Sequence, residues 1–223
     1  MTDKCPALSK IKSKKQRAEI VSNTLTRLYP EAVCSLDYNG DPFRLLVMAR
    51  LSAQCTDKRV NEVSKALFKA LPDAKAFANA DIETLEKLVK PCGLYKMKAK
   101  NLKEMSIQLI EEHDGKVPKT KDELLKLSGV GVKIANLILG DLFSDPHIVP
   151  DTHCMRIARR CRLISKEDPA TCIKELERVI TKSERAHFCH RIVLFGRDFC
   201  KARGPLCDTC PLNKEILKNN GEL

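Results

Sequence analysis

Two glycines set two residues apart, Gly129 and Gly131, interrupt an otherwise helical pattern in KDELLKLSGVGVKIANLILGDLFSDPHIVPDTH, residues 121–153. Before the break, Thr120 is placed to cap a short helix carrying Leu124, Leu125 and Leu127. After it, Ile134, Ala135, Ile138 and Leu139 recur at helical spacing and continue to Leu142 and Phe143. Glycines supply φ > 0 or a close backbone approach, so the unit reads as helix, hairpin, helix, with the hairpin amides directed outward at a helix N-terminus. Backbone N–H groups grouped in this way form a nest that binds phosphate. Lys133 falls in the first turn of the second helix, and Asp151, Thr152 and His153 open another helix eighteen residues later. Taken singly, such a lysine is a solvated charge and such an aspartate an N-cap. Together they offer an amine and a carboxylate to one chemistry.

The rest of the chain gives no strand signal of any length. Lys14 to Leu28, with Ile20, Val21 and Leu25 on one face, reads as an amphipathic helix halted by Pro30. Asp41-Pro42 supplies a cap and a first helical position for FRLLVMARLSAQ, which is apolar nearly all round and therefore a buried central helix reaching Gln54. Thr56 precedes a stripe of Val60, Val63 and Leu67, and Asp73 and Asp81 start two shorter helices that end at Pro91. CGLYKMKAKNLKEM then begins a helix continued by Leu102, Met105, Leu109 and Ile110 and stopped at Gly115. Further starts at Thr152, Asp168-Pro169 and Ser183 complete an all-α chain of about ten to twelve helices.

Forty Lys and Arg against twenty-nine Asp and Glu leave a net charge of +11, which calls for an anionic partner: nucleic acid first, an acidic membrane surface as the rival. No run approaches eighteen apolar residues, and MTDKCPALSKIKSKKQR is a polar basic arm without an apolar signal core. Export and membrane spanning are therefore not expected; the expected compartment is the cytoplasm, at the nucleoid for a bacterial chain. Of eleven cysteines, Cys34, Cys55, Cys92, Cys154, Cys161, Cys172 and Cys189 stand singly in helical patterns and read as small buried hydrophobes of a reducing compartment. Only Cys200, Cys207 and Cys210 cluster, in CKARGPLCDTC.

LSGVGVKIAN followed by PDTHCMRIARR resembles the helix-hairpin-helix DNA glycosylases, and Lys133 selects their endonuclease III branch; the likeness runs from the first helix to the cysteine loop. The resemblance implies a two-lobed all-α fold with a central DNA-binding cleft. Residues 35–145 would form a six-helix barrel lobe, and residues 1–34 with 146–223 a second helical lobe, so that Lys133 and Asp151 come from opposite walls. It further implies that Gln54 of LSAQCTD enters the gap left by a flipped nucleotide with Asp57 beside it, and that Leu94 of GLY-x-x-KA is an apolar wedge. Lys98, Lys100 and Lys103 would contact phosphates, and Gly129, Val130, Gly131 and His153 would belong to the DNA interface. The activity implied is base excision repair on double-stranded DNA with a damaged base or an abasic site, by a monomer. It would remove oxidised pyrimidines and cleave the abasic site by β-elimination through a lysine Schiff base. A non-catalytic helix-hairpin-helix DNA-binding protein is the alternative of another class; the adenine-mismatch branch is a third, but it lacks a lysine at this place. Ser128, Val132 and Ile134 replace the usual Pro, Arg and Thr of the hairpin, and Pro150 stands where a small or β-branched residue is commoner.

A lysine attacks the sugar C1′ only as the neutral amine, and at a reference pKa of 10.4 only about one in 2,500 is neutral at pH 7. Burial and the positive end of the second helix are expected to lower that value. A nearby carboxylate acts the other way, so the part left to Asp151 is to receive a proton and to stabilise the cationic sugar that develops as the base departs.

Cys200-x6-Cys207-x2-Cys210 reproduces the first three spacings of that family's iron–sulfur loop, but Ile216 occupies the fourth place and no cysteine follows Cys210. Three thiolates do not complete a four-cysteine cluster. Three endings are open: a [4Fe-4S] cluster incompletely liganded or completed by Asp208, Asn213, Glu215 or water; a zinc completed by a histidine such as His190; or a metal-free loop. Lys201 and Arg203 keep the loop basic enough to touch the phosphate backbone in each case.

Overall fold

The helix starts anticipated from Asp, Thr and Pro positions are where the backbone turns helical in the computed structural model, which describes residue 5 and residues 7–214. Eleven α-helices and three short 3-10 turns make up the regular structure among the described residues, with no strand. Eight of the eleven are capped by a side chain accepting an N-terminal amide: Ser13, Asp41, Thr56, Asp73, Asp81, Thr120, Asp151 and Asp168. Each such cap stabilises its helix by about 1 kcal/mol.

The chain divides into two compact units, Cys34–Asp145 and a second made of Met1–Val33 with Pro146–Leu223. In the first, α2 (Pro42–Leu51) is the central helix, eight of its ten residues being buried. It packs on α3 (Asp57–Ala70), α6 (Tyr95–His113) and α8 (Val132–Leu142). Two short helices, α4 (Ala74–Asn79) and α5 (Ile82–Val89), lie on α6, and α7 (Lys121–Lys126) packs on α8. The Phe43 and Phe77 rings meet edge-on at 5.3 Å in this core, where each fully buried large apolar side chain contributes about 1.5–3 kcal/mol.

Helix α2 stops three residues short of the expected Gln54. The reason is Lys98, whose Nζ is completely buried and donates to the Leu51 carbonyl at 2.8 Å, ending the helix there, and to the Cys92 carbonyl at 2.8 Å. Cys34 and Cys55 also depart from expectation, lying outside the helices and only partly buried, whereas Cys92, Cys154, Cys161, Cys172 and Cys189 are buried.

In the second unit α11 (Arg185–Asp198) packs on both α1 (Lys14–Leu28) and α9 (Thr152–Arg160), and α10 (Pro169–Leu176) packs on α9. Polar ties fasten α1 in place. Arg191 donates to Thr26 Oγ1 at 2.9 Å and to the Tyr29 carbonyl at 3.3 Å, the Tyr29 hydroxyl donates to Asp198 at 2.7 Å, and Lys14 pairs with Glu175 at 2.7 Å. Among the described residues no helix is long and apolar enough to cross a membrane.

Candidate active site

The hairpin between α7 and α8 is held from beneath by side chains of α6 and α2. Gln108 accepts the Ser128 amide at 2.7 Å, the Ser128 hydroxyl donates to Glu104 at 2.8 Å, and Asn101 bridges Ser128 Oγ at 2.9 Å to Arg50 Nη2 at 2.7 Å. Ser128, unusual for this motif, is thus integrated by hydrogen bonds. Gly129 has φ +75°, and an added β-carbon there would overlap the Arg50 side chain, so this glycine meets both of the conditions foreseen for it. Gly131 meets neither: its φ is −103° and nothing lies within 4 Å of a β-carbon placed on it. It is the N-cap of α8 and offers no side chain to the helix, so the first amides of α8 carry no side-chain cap. Val130 is buried beneath the turn, with its amide on the Leu127 carbonyl at 3.1 Å. Lys133, the second residue of α8, is exposed. The burial expected of its amine is therefore not found in the free protein, because the first turn of α8 projects away from the core that Ala135, Ile138 and Leu139 enter.

The turns carrying Gln54 and Leu94 share one anchor. Both residues are exposed and adopt left-handed backbone conformations, φ +52° and +47°. Such conformations are uncommon outside glycine and asparagine and persist where the surroundings impose them. Here the imposing group is the Lys98 ammonium, which joins the Leu51 carbonyl three residues before Gln54 to the Cys92 carbonyl two residues before Leu94. Burial holds its pKa below the ordinary lysine value. Lys98 is thereby corrected from a phosphate contact to an internal clamp. Lys103 is partly buried and donates to the Ala80 carbonyl at 2.6 Å, while Lys100 is exposed and pairs with Glu104 at 3.7 Å. Asp57 opens α3 as its first residue, half-buried.

Asp151 belongs to the other unit, where it is the half-buried N-cap of α9, one carboxylate oxygen accepting the Cys154 amide at 2.6 Å. His153 turns back along the helix: its Nδ1 is paired with Arg156 Nη2 at 3.1 Å, against Gly196 of α11. At the far end of α9, Arg156 donates to the Cys200 carbonyl at 3.2 and 2.9 Å, and Arg160 donates to the Lys201 and Ala202 carbonyls at 2.7 and 3.1 Å and to Cys200 Sγ at 3.3 Å. One helix thus carries Asp151 at its start and grips the cysteine loop at its end, a link that sequence reasoning did not find.

Cys200, Cys207 and Cys210 line a small recess among Phe195, Phe199 and Leu212, and burial pushes the Cys210 thiol up to about 11. Cys5, unremarked in the sequence, lines the same recess, as does Cys161. His190 does not line it, Asp208 is exposed, and Asn213 donates to the Cys207 carbonyl at 2.8 Å. Ile216 and Glu215 lie outside the described residues. Among the described residues no three His, Cys, Asp or Glu side chains converge as a single metal ion requires, which removes support from the zinc alternative. Lys201 and Arg203 are exposed on the loop.

Residues 47–182 match the family described as HhH-GPD superfamily base excision DNA repair protein. Endonuclease III of Synechocystis sp. is 43% identical over 92% of this chain and 94% of its own length, and that of Bacillus subtilis 38% identical over 88% and 90%. A solved structure of a trapped endonuclease III–DNA covalent intermediate superposes with a TM-score of 0.86 at 37% identity, covering 92% of this chain and 98% of that one.

Proposed function

Because the chain belongs to the endonuclease III family of the HhH-GPD superfamily, and is on that ground a base excision repair DNA glycosylase and abasic-site lyase, we propose that Lys133 supplies its nucleophile and Asp151 its acid–base group. The observation that carries this reading is an exposed lysine in the first turn of a helix whose N-terminal amides no side chain caps. Those amides suit a DNA phosphate. Bound DNA also expels water from around an amine that is open in the free protein.

A base inside a duplex is out of reach, so the nucleotide is extruded, at a few kcal/mol that a damaged base lowers. Exposed Gln54 and Leu94, with Asp57 beside them, fill the space it leaves. The neutral Lys133 amine attacks C1′, the C1′–N bond breaks, and the base departs with a proton. The sugar ring then opens as the C1′–O4′ bond breaks and O4′ takes up a proton, which leaves an iminium at C1′; a proton next leaves C2′, and the 3′ C–O bond breaks with expulsion of the phosphate. Asp151 receives a proton and faces the developing cationic sugar. Oxidised pyrimidines are the substrate class, double-stranded DNA the partner and the cytoplasm the compartment. Family membership also implies an iron–sulfur cluster; Cys200, Cys207 and Cys210 would hold it, and the thiol-lined recess fits it. There it would cross-link the loop that presents Lys201 and Arg203.

Duplex DNA containing thymine glycol tests the assignment when base release and strand cleavage are scored separately. Lys133→Ala is expected to lose strand cleavage while still binding DNA. Asp151→Asn is expected to slow base release at least about a hundredfold, and to melt like wild type, because asparagine caps a helix as well as aspartate. Near wild-type turnover in that variant would reduce Asp151 to a helix cap.

A further inference from the structure

The recess beside the cysteine loop contains two thiols more than the loop supplies, Cys5 and Cys161. Cys5 is set there by its backbone, whose amide donates to the Arg160 carbonyl at 2.8 Å, and by its thiol, which donates to Asn213 Oδ1 at 3.3 Å. Asn213 follows Cys210 by three residues and in turn holds the Cys207 carbonyl. The N-terminal arm thus brings a sulfur to the side of the recess where the chain leaves Cys210, the side on which the loop itself has run out of cysteines. We propose that Cys5 is the fourth ligand of an iron–sulfur cluster held with Cys200, Cys207 and Cys210.

The chemistry of the donor set favours a cluster over a lone ion. Four thiolates on one zinc stand about 3.8 Å from one another, given a zinc–sulfur bond near 2.3 Å, and no such convergence exists among the described residues. A four-iron cluster takes one thiolate on each iron, so its sulfurs stand apart around a cavity, as these four stand around the recess. Its floor and walls include Phe195, Phe199, Leu206 and Leu212, which keep water from the irons. Arg160 Nη1, donating to Cys200 Sγ at 3.3 Å, supplies the kind of donor that stabilises thiolate on such a cluster.

Cys161 is the rival. It is 2% exposed at the C-terminal cap of α9, behind Cys5, to which its thiol is hydrogen-bonded. Cys5, by contrast, is partly exposed, as Cys200 and Cys207 are. Assigning the fourth position to Cys5 replaces the expectation of an incompletely liganded centre with a complete one. It also makes the cluster a cross-link between the N-terminal arm and the C-terminal loop of one unit. The proposal is independent of the roles given to Lys133 and Asp151.

The full chain, purified in air, decides it through iron and acid-labile sulfide content and the visible charge-transfer absorption. Wild type and Cys161→Ala are expected to carry about four irons and four sulfides per chain, while Cys5→Ala and Cys200→Ala lose the cluster together. Alkylation of the wild-type protein, mapped by mass spectrometry, covers the case in which Cys5→Ala fails to fold. Cys5 is expected to be protected while the cluster is present and modified after it is stripped. The proposal is overturned if wild type holds no cluster, if Cys5→Ala keeps wild-type iron in air, or if Cys5 is alkylated equally fast before and after stripping.

Discussion

A β-carbon at position 129 would collide with the Arg50 side chain, whereas one at position 131 would meet nothing within 4 Å. Gly129→Ala is therefore expected to be destabilising, by about 1–2 kcal/mol for the left-handed backbone alone, with more added as Arg50 is pushed from Asn101. Gly131→Val is expected to leave the melting temperature close to wild type and to weaken binding to all DNA sequences alike, because the position serves a phosphate and reads no base. Melting curves and binding titrations on two unrelated duplexes check both. A sequence-selective loss at position 131 would contradict its role. At this scale the sequence was legible where a residue's neighbours along the chain decide its state, as with seven of the eight side-chain caps, all but Ser13. It was not legible where a distant element decides. Arg50 makes Gly129 obligatory from 79 positions away, and Cys5 reaches Asn213 across 208 positions.

Lys98 shows what was available at the scale of the helix and passed over. On α6 it falls in the stripe with Leu102, Met105 and Leu109, the buried face, and a charge on such a stripe must find internal partners. Its partners are two carbonyls that end α2 and the 3-10 turn Lys90–Cys92, which is why both Gln54 and Leu94 sit in tight left-handed turns. Lys98→Met keeps the apolar stem and removes the ammonium. Two buried carbonyls are then left without donors, at a cost on the order of 3 kcal/mol, or about 10 °C in Tm. Damage recognition should fall more than binding to undamaged duplex, because the turns and not the hairpin are released. Equal losses on both DNAs would reduce Lys98 to a purely structural residue. Helices α6 and α8 are uncapped by side chains where most others are capped; this contrast was invisible until all the starts could be compared, although Leu94 and Gly131 were themselves read as interface residues.

Over the whole molecule the net charge of +11 is the property that a polyanion meets first. In the unit of α1 and α9–α11, Lys14, Arg156, Arg159, Arg160 and Arg162 line one recess, and Lys201 and Arg203 are exposed on the loop. Affinity for duplex DNA should fall with salt at a log–log slope of about −0.9 per phosphate contacted; a flat response would point to another partner. The all-helical class and the order of elements followed from periodicity and capping. The exposure of Lys133 did not, since a lysine in a first turn points to core or solvent according to helix rotation, which depends on the packing of α8 against α2 and α7. That exposed amine is the centre of the account, and borohydride tests it most directly, because only an imine is reduced to a stable amine. Wild type incubated with abasic-site DNA and borohydride is predicted to give a covalent adduct whose peptide maps to Lys133, with none formed by Lys133→Ala. No adduct from active wild type, or an undiminished one in Lys133→Ala, would contradict it.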